Sequence, residues 1–468
     1  SPLVQSVHVE PNGGHIRRIA GDLQAHMARY GYRLIETPII ENADLFLIKA
    51  GDQVIERLFT FERRGHVLAL RPEFTAAAAY RYAQRAESGV VRSHTVRWQF
   101  GGPVFEDNPH DPIPAYQRHS AGAELIGLAG PAADAEIISM AAAGLASLGI
   151  DARLVLGHVG LTRHLLARYA LDGRTQRFIL DRRGLLTSSG DGRAALLQQL
   201  DRYFPGDDSA ESASTADMPE ADAQHMLDVL LDTTRRGETM GGRARPDIAR
   251  RLLRKRQQAA QRGRVEAALD FLHAWMQINS GPDAAFDQIA PFIDGDATAR
   301  ALLDDWLRAV DLLAAYDISA DKLTIRPDLA RTWDYYTGPV FELHTGDGLQ
   351  LGGGGRYDEL TRLIGGAANV PAVGFAYYID RVQQALPTDL GTESAGVSIT
   401  SQDDIQAARW AQALRSHGLT VTLSDEADAY RIDDGQLVID GTAFPLAAAA
   451  EAAALLQSTD TADESDRP

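Results

Sequence analysis

Cysteine is absent from the 468 residues, and two other features are missing that would have indicated a class of protein. Without thiols, the chain can form neither disulfides nor thiolate metal sites. It has no run of about 18 apolar residues, so we expect no membrane-spanning helix. The 13 histidines form no HxxxH or HExxH pair. We therefore expect no metal site and no cofactor.

Basic charge is also scarce. The chain has 46 Lys and Arg residues against 64 Asp and Glu residues, which gives a net charge of −18. Because phosphate contacts favour a basic protein, this balance argues mildly against a nucleic-acid partner, although a local patch can override the sum. The stretch SPLVQSVHVEPNGG has no basic segment followed by an apolar core, so we expect no signal peptide. Together with the lack of cysteine, this predicts a cytoplasmic protein.

The spacing of apolar and turn residues predicts the α+β class. Residues 14–31 place apolar side chains on one helical face. YRLIETPII has the composition of a strand, and Pro38 indicates an edge or interface position. RLFTFERRGHVLALRPEFT predicts two strands joined by a tight turn at Arg64 and Gly65. PAADAEIISMAAAGLASLGI predicts a helix that begins at its proline and ends at its last glycine.

These elements divide the chain into five predicted segments. A strand-rich domain occupies residues 1–174 and 321–388, with a mostly helical insertion at 175–320 between them. A small α/β domain follows at 389–457, where a β-α-β start gives way to a small hairpin and an Ala-rich helix. The acidic residues 458–468 are predicted to be a disordered tail.

Two stretches of the insertion have unusual composition. PGDDSAESASTADMPEADA (205–223) is rich in Ser, Asp and Glu, which predicts a mobile loop. RRGETMGGRARPDIARRLLRKRQQAAQRGR (235–264) has eleven Arg or Lys residues against two acids. It could bind RNA or an acidic partner. The alternative is a basic helix that is simply solvated.

LRPEFT is the first of four segments with side chains suited to a ligand. As a strand, it would place Arg71, Glu73 and Thr75 on one face, because side chains alternate with period two. Glu73 and Thr75 could then receive an ammonium group together. A surface ladder of polar residues is the alternative.

The other three segments add a carboxylate, two phenols and a glycine run. AELIG carries Glu124 before apolar residues, which predicts an inward-facing carboxylate. RTWDYYTG places Arg331, Tyr335 and Tyr336 beside a turn, where the phenols either pack in the core or face a pocket. LGGGGRYDEL predicts a Gly-rich turn or a close approach of backbone to a ligand, since glycine has no Cβ.

In their order along the chain, these segments resemble one family. AGDQVIERLFTFERRGHVLALRPEFTAA, GAELIG, DYYTGPVFE, GGGGRYDEL and GFAYYIDRV resemble the histidyl-tRNA synthetases, over roughly residues 10–170 and 320–386. The resemblance implies a class II aminoacyl-tRNA synthetase-like fold, with an antiparallel sheet flanked by helices. It also implies that residues 389–457 are a degenerate anticodon-binding domain.

The resemblance implies a histidine pocket. Glu73 and Thr75 match residues that take the α-amino group, and Glu124 and Tyr336 match residues that address the imidazole. Arg331 matches the family's extra catalytic arginine, which contacts the carboxylate and the α-phosphate region. The implied histidine-binding set is Glu73, Thr75, Glu124, Arg331, Tyr335 and Tyr336.

The nucleotide end departs from the family pattern. An arginine that holds the ATP α-phosphate is expected after Phe105, but Glu106 stands there. Two like unit charges about 4 Å apart, at an effective dielectric near 20, repel by on the order of 4 kcal/mol, so this carboxylate should disfavour phosphate. The next motif acid is replaced by Asn108. Arg118 lies near the position of the aromatic that stacks on adenine.

The third motif departs as well. The family pattern is GFAxGxxR, and this chain reads GFAYYIDR. Tyr378 replaces the second glycine and should crowd the adenine floor, whereas Arg381 is retained as a possible residual phosphate-binding residue. Ser120 stands where a glutamine is expected, which would weaken imidazole recognition. We expect synthetase-type ATP binding to be lost and no catalytic residue to remain.

A histidine pocket without an ATP pocket resembles the regulatory subunits of ATP phosphoribosyltransferase, synthetase paralogues in histidine biosynthesis. The resemblance implies a short catalytic phosphoribosyltransferase subunit as partner and histidine as effector. It implies a homodimer, formed around YGYRLIETPII, within a larger hetero-oligomer, with neither tRNA nor a membrane as partner. Two alternatives stay open: an active or atypical histidyl-tRNA synthetase, and a non-catalytic RNA-binding or sensor module on the same fold.

Overall fold

The computed structural model describes residues 13–48, 52–87, 95–108, 116–187, 192–203, 262–331, 333, 335–386, 397–424 and 429–463. Two compact units, Ser1–Leu386 and Pro387–Pro468, divide the chain. The acidic stretch 205–223 lies outside the described residues, as does the basic stretch 235–264 apart from its last three residues. The predictions for both therefore stay predictions. Among the described helices, none is long and apolar enough to cross a membrane.

The first unit contains helices and strands in alternating groups. Its helices are α1 (Gly13–Arg29), α2 (Asp44–Leu47), α3 (Asp52–Arg57), α4 (Thr75–Glu87), α5 (Pro131–Ser147), α6 (Val159–Ala167), α7 (Gly173–Arg182), α8 (Gly192–Tyr203), α9 (262–276), α10 (Pro282–Ile289), α11 (Ala297–Ala315), α12 (Leu360–Leu363) and α13 (Ile379–Ala385). Its strands are β1 (Arg33–Leu34), β2 (Ile40–Asn42), β3 (Thr60–Arg63), β4 (His66–Leu70), β5 (Val96–Phe105), β6 (Gln117–Ile126), β7 (Arg153–His158), β8 (Leu323–Ile325), β9 (Pro339–His344), β10 (Gln350–Arg356) and β11 (Ala372–Tyr378).

Eight strands form the main sheet, in the order β1-β5-β6-β11-β10-β9-β7-β8. The inner pairs are antiparallel. The edge pairs, β1 with β5 and β7 with β8, are parallel. The predicted α+β class and the antiparallel sheet flanked by helices are confirmed, with parallel pairing confined to the two edges.

A second, three-stranded sheet has the order β2-β4-β3. The tight turn predicted between its last two strands is confirmed. Arg64 and Gly65 have φ values of 53° and 78°. A two-residue hairpin turn of type I′ requires positive φ at both of these positions. YRLIETPII is not one strand, because it supplies β1 to the main sheet and β2 to the small one. Pro38 lies between the two strands, and proline cannot donate a ladder hydrogen bond.

The predicted strand face of Arg71, Glu73 and Thr75 is wrong. Strand β4 ends at Leu70, and Thr75 is the first residue of α4. Pro72 has no N–H to continue the ladder. The Glu73 carboxylate instead accepts backbone N–H groups at the start of α4, which stabilises a helix end that would otherwise leave donors unsatisfied.

The glycine run is a strand, so the predicted Gly-rich turn is wrong. Gly352 to Gly355 lie within β10, between β9 and β11. A Cβ on Gly354 would come within 1.9 Å of the carbonyl oxygen of Gly374 on β11. Close approach of neighbouring backbone, rather than a turn, therefore requires glycine here.

Helix α5 is buried on almost every side, because it packs between the main sheet and α11. Its buried residues include Ala133, Ile137, Ile138, Met140 and Leu145, which explains why the sequence is apolar all round. The predicted start at Pro131 and end near Gly149 are confirmed. Gly149 has a φ of 81°, the left-handed conformation common after a helix end.

The described part of the predicted insertion is largely helical. Trp306 of α11 is buried and contacts His158 and Phe286, with ring centroids 5.4 and 5.3 Å away. Helix α11 also packs against α5 and α6. The last part of the segment 175–320 is therefore packed into the core of the sheet domain.

The second unit has its own sheet and core. Its elements are β12 (Val397–Ser401), α14 (Asp404–Ser416), β13 (Val421–Leu423), β14 (Tyr430–Asp433), β15 (Gln436–Ile439), β16 (Thr442–Pro445) and α15 (Ala449–Asp463). The strand order is β13-β12-β14-β15-β16, with the first two pairings parallel and the last two antiparallel. The sequence predicted one small hairpin, but the structure has two in succession, at Asp434-Gly435 and Asp440-Gly441, where all four φ values are positive.

Helix α15 extends to Asp463, into the segment 458–468 that was predicted to be disordered. The helix starts in a run of alanines, the residue with the highest helix propensity, and continues beyond it. The prediction of a disordered tail stays a prediction, and residues 464–468 lie outside the described part of the chain.

Candidate functional site

A cavity of about 220 Å³ lies where β5, β6, β10 and β11 meet the start of α4. Pockets for drug-sized ligands typically measure roughly 300–1,000 Å³, so this one suits a ligand of amino-acid size. Eleven residues singled out in the sequence line it: Glu73, Thr75, Glu106, Asn108, Arg118, Ser120, Arg331, Tyr335, Tyr336, Tyr378 and Arg381.

Strand β11 forms the floor of the cavity. Gly374, Ala376 and Tyr378 lie on the same face of the strand, because side chains alternate. A Cβ on Gly374 would lie 1.7 Å from Oε2 of Glu124 on the neighbouring strand β6. Glycine therefore makes room for this carboxylate at one end of the floor, while a tyrosine ring covers the other end.

Glu124 is fully buried and is not among the lining residues, but three residues next to it, Thr75, Tyr357 and Gly374, do line the cavity. The Thr75 hydroxyl donates to its Oε1 at 2.6 Å, and the Tyr357 hydroxyl donates to its Oε2 at 2.5 Å. The predicted inward orientation of this side chain is what the structure shows. Each carboxylate oxygen can accept more than one hydrogen bond, so both keep capacity for a ligand.

Glu73 lines the cavity and also binds the first backbone N–H groups of helix α4. Its Oε2 accepts the backbone N–H of Thr75, and its Oε1 accepts that of Ala76 at 2.9 Å. The positive end of the helix dipole favours a carboxylate at this position. Glu73 and Thr75 thus line the cavity together, although they reach it from a helix start instead of a strand.

Burial makes both carboxyl groups weak acids. Removal from water and, to a smaller extent, the nearby Glu73 raise the pKa of Glu124 to about 8, with only partial compensation from the Thr75 and Tyr357 hydrogen bonds. Burial likewise raises the pKa of Glu73 to about 7. A cation between them would favour their charged forms. This end of the cavity is therefore suited to an ammonium or imidazolium group.

Aromatic rings surround the two carboxyl groups. The ring centroid of Tyr335 lies 4.8 Å from Tyr336, 5.7 Å from Tyr357 and 5.8 Å from Trp333. All four residues line the cavity. Aromatic faces attract cations, which adds to the preference of the carboxyl groups.

Arg331 lies at the opposite, cationic end. Its Nη1 donates to the Phe341 carbonyl oxygen at 3.2 Å, and its Nη2 donates to the Tyr378 hydroxyl at 3.0 Å. Oε1 of Glu342 lies 3.6 Å from Nη1. Burial lowers the pKa of Arg331, but Tyr378, Tyr336 and Glu342 together raise it above its usual value. The guanidinium therefore stays charged beside the cavity.

Tyr378 lies between two arginines. Besides its hydrogen bond to Arg331, its ring lies beneath Arg381, whose Cζ is 5.0 Å from the ring centroid. Arg381 also donates to the Gln350 carbonyl oxygen at 3.2 Å. Both arginines that a nucleotide site would use thus contact the residue that replaces the motif glycine.

Glu106 is paired within the chain. Its Oε1 lies 3.3 Å from Nη1 of Arg57, and both side chains line the cavity. Because Arg57 offsets the charge of Glu106, phosphate should be repelled less than was predicted for an isolated carboxylate. This ion pair also leaves the Arg57 guanidinium less able to bind a ligand anion. Asn108, Arg118 and Ser120 line the same cavity.

Comparison with known families decides the affiliation. A family model described as histidyl-tRNA synthetase matches residues 9–184 and 225–382. The chain belongs to the histidyl-tRNA synthetase family. The predicted resemblance is confirmed, and the match ends before the second unit begins.

Two relatives of this family member carry different names. An ATP phosphoribosyltransferase regulatory subunit of Sinorhizobium medicae (strain WSM419) is 32% identical over an alignment of 392 positions, which covers 78% of this chain and 96% of that protein. A histidine–tRNA ligase of Methanosphaerula palustris is 30% identical over an alignment of 415 positions, which covers 87% of this chain and 80% of that protein.

A solved structure confirms the fold. An ATP phosphoribosyltransferase regulatory subunit/histidyl-tRNA synthetase from Bacillus halodurans superposes with a TM-score of 0.61 at 22% identity, over 89% of this chain and 90% of that one. The apo histidyl-tRNA synthetase of S. aureus gives a TM-score of 0.52 at 20% identity, over 95% and 96%. The class II synthetase-like architecture is therefore shown.

The sequence reasoning missed several of the residues that line the cavity, and three of them contact the predicted site residues. Tyr357, Trp333 and Arg57 line the cavity, and Tyr357 bonds directly to Glu124. Tyr357 belongs to LGGGGRYDEL and Trp333 to RTWDYYTG, two segments that were selected for other residues. The available signal for Tyr357 was its position directly after the glycine strand. Nothing in the sequence indicated that Arg57 would meet Glu106.

Proposed function

We propose that this chain is a regulatory subunit of ATP phosphoribosyltransferase in histidine biosynthesis, which binds histidine without activating it. The observation that carries the proposal is a contrast within one cavity. The acidic, aromatic end has carboxyl groups and rings suited to the cationic groups of histidine, whereas at the nucleotide end Glu106 is paired with Arg57 and Tyr378 stands where the family motif has glycine. The regulatory subunits among its relatives support the proposal, and the chain spans 96% of the length of the one from S. medicae.

The acidic end fits the cationic groups of histidine. In the proposed pose, the α-amino group contacts Glu73 and Thr75, and the imidazole is held between Glu124 and Tyr336. Buried carboxyl groups without a countercharge favour such a ligand, because its binding offsets their desolvation. Tyr335 completes the wall, and its ring lies 4.8 Å from that of Tyr336.

The carboxylate of the ligand is assigned to Arg331. This guanidinium is held by the Phe341 carbonyl and the Tyr378 hydroxyl. A guanidinium has five N–H donors, so these two bonds leave others for a carboxylate. The three ligand groups then contact three separate parts of one cavity.

The other end lacks the arrangement for ATP. Glu106 binds Arg57, and Tyr378 contacts both Arg331 and Arg381. A triphosphate would have to displace these partners and place its charge near the Glu106 carboxylate. We therefore propose that the chain has no catalytic residues of the synthetase reaction and uses no cofactor.

Regulation would follow from linkage. Histidine can change the activity of a short catalytic phosphoribosyltransferase subunit only if it binds two states of the complex with unequal affinity. Couplings of this kind are typically about 1–3 kcal/mol. We place the complex in the cytoplasm, with histidine as effector.

A homodimer is proposed within this complex. The region around YGYRLIETPII exposes large apolar side chains: Leu34 (57% exposed), Ile39 (44%), Ile40 (50%), Phe61 (40%) and Val67 (52%). Exposed apolar residues that cluster in this way indicate a protein interface. A second copy of the chain would remove them from water.

A histidyl-tRNA synthetase is the second candidate. It is favoured by the 30% identity to a histidine–tRNA ligase and by the presence of Arg331 and Arg381 in the cavity. The RNA-binding alternative depends on the basic stretch 235–264, most of which lies outside the described residues.

Paired calorimetric titrations with histidine and with Mg-ATP test the proposal. We expect histidine to bind and Mg-ATP to show no binding. Glu124→Ala should weaken histidine binding by at least about tenfold, because the imidazole loses a charged partner. Mg-ATP binding together with histidine-dependent pyrophosphate exchange would establish the synthetase instead, and an unchanged histidine affinity in Glu124→Ala would refute the pose.

The partner is tested separately. The tagged protein should co-purify with a short phosphoribosyltransferase from its own cells, and histidine should change that enzyme's activity only in the complex. Recovery of tRNA in place of the transferase would contradict the proposal.

A further inference from the structure

Tyr378 and its neighbour Tyr377 have different surroundings on the same strand. The Tyr377 ring is fully buried on the face toward α5, and its hydroxyl donates to the Ala141 carbonyl oxygen at 2.8 Å. The Tyr378 side chain is on the opposite face and lines the cavity. Packing of the core therefore explains Tyr377 but not Tyr378.

The hydrogen bond between Arg331 and Tyr378 has a fixed direction. Arginine can only donate, so the phenol oxygen accepts from Nη2 at 3.0 Å. The phenol keeps its own O–H as a donor for another group. Arg331 and Tyr378 can therefore offer N–H and O–H donors to the same anion.

The charge of Arg331 is already balanced in part. Glu342 lies 3.6 Å from its guanidinium. Nε2 of His344 donates to Oε2 of Glu342 at 3.0 Å, which holds this carboxylate in place. A small anion such as a carboxylate then suits the remaining charge better than a triphosphate, which carries several.

Tyr378 also limits the length of the ligand. The floor of the cavity is formed by Gly374 and Ala376 at the Glu124 end and by the Tyr378 ring at the other. Arg381 lies over that ring. A group attached to the ligand carboxylate would extend toward the space that the ring fills.

We propose that Tyr378 makes this site specific for a free amino-acid carboxylate: its phenol positions Arg331 and binds the carboxylate with it, and its ring excludes esters and adenylates. This inference rests on the proposed histidine site and identifies what that site recognises at its cationic end. Tyr378 is thus a specificity-determining residue, and the loss of the motif glycine is a gain of ligand recognition.

The test compares three ligands by calorimetry: histidine, histidinol, in which CH₂OH replaces the carboxylate, and histidine methyl ester. The wild-type protein should bind histidine more tightly than the other two by at least about tenfold, since hydrogen bonds to a charged group are the strong ones. In Tyr378→Phe, the preference for histidine over histidinol should fall by about tenfold. In Tyr378→Gly, the discrimination against the methyl ester should fall by at least about tenfold.

Tyr377→Phe is the matched control. It removes a hydroxyl from the same strand on the other face, so it should lower the melting temperature without changing either preference. Equal losses for histidine and histidinol in Tyr378→Phe would show that Tyr378 only supports the fold. Unchanged exclusion of the ester in Tyr378→Gly would overturn the role of the ring. If the wild-type protein failed to bind histidine, the proposed function would fail before any variant was compared.

Discussion

If the proposed histidine site is right, Glu73 and Glu124 should make histidine binding depend on pH. Their pKa values of about 7 and 8 mean that the empty site holds protons at pH 6 that it has lost above pH 8. The ammonium group of the ligand favours the ionised carboxylates, so affinity should rise severalfold from pH 6 to pH 8 and binding near pH 7 should release protons. Titrations in buffers of different ionisation enthalpy measure both quantities.

The same pKa values predict that the empty protein becomes less stable as the pH rises, whereas the affinity for histidine increases. Both values are raised above those of the unfolded chain, so their contribution is fully present at low pH and is lost as the pH rises through about 7 to 8. In Glu124→Gln the proton release should shrink, because one of the two titrating groups is gone. An affinity that is flat between pH 6 and pH 8 would contradict this account.

Position 374 requires glycine because the Glu124 side chain lies too close for a Cβ atom. A Cβ there would lie 1.7 Å from Oε2 of Glu124. Gly374→Ala should therefore displace this carboxylate and weaken histidine binding by at least about tenfold, with a loss of roughly 1–3 kcal/mol of stability from overpacking. Calorimetry and thermal melting measure the two effects.

Gly21→Ala is the control for that substitution. Gly21 lies in α1, where a Cβ would meet nothing within 4 Å. The change should stabilise the protein slightly, since alanine favours helix, and leave the histidine affinity unchanged. Equal affinities of Gly374→Ala and the wild type would show that the carboxylate is not held where the structure has it.

At the level of elements, the Glu73 carboxylate caps the start of α4 and also lines the cavity. Glu73 accepts N–H groups at the start of α4, so Glu73→Ala should cost about 1–2 kcal/mol of stability and also weaken histidine binding. Asp172 provides the comparison, because it accepts two N–H groups at the start of α7, outside the cavity. Asp172→Ala should lower the melting temperature similarly but leave histidine affinity unchanged. If both variants kept full affinity, Glu73 would be a helix cap only.

The sequence predicted most elements but not where two of them begin and end. Periodicity identified α1 and α5, and the Arg64-Gly65 turn identified a hairpin, because these signals are local. The start of α4 depended on whether Glu73 would meet backbone N–H groups or a neighbouring strand. The glycine run depended on the approach of β11. Both outcomes were decided by tertiary contacts, which periodicity does not contain.

At the scale of the whole molecule, the cavity unites residues that are far apart in the chain. Tyr357 and Glu124 are 233 positions apart, and Tyr378 and Arg331 are 47 apart. The family resemblance predicted which of the selected residues would share a site, since it supplied the order of the motifs. It could not predict Tyr357 or Arg57, nor the Arg331–Tyr378 hydrogen bond, because these contacts depend on residues outside the matched roles.

The proposed dimer gives a prediction about the mass of the particle in solution. Ile40 and Val67 belong to the small sheet and are 50% and 52% exposed. A charge at an apolar interface is costly to bury without a partner, so Ile40→Asp with Val67→Asp should give a particle near the chain mass of 50.7 kDa. Sedimentation equilibrium should show about twice that mass for the wild type. Ile405→Asp, at a 65% exposed position of the second unit, should leave the dimer intact. A wild-type monomer, or a dimer that survives both aspartates, would place the interface elsewhere.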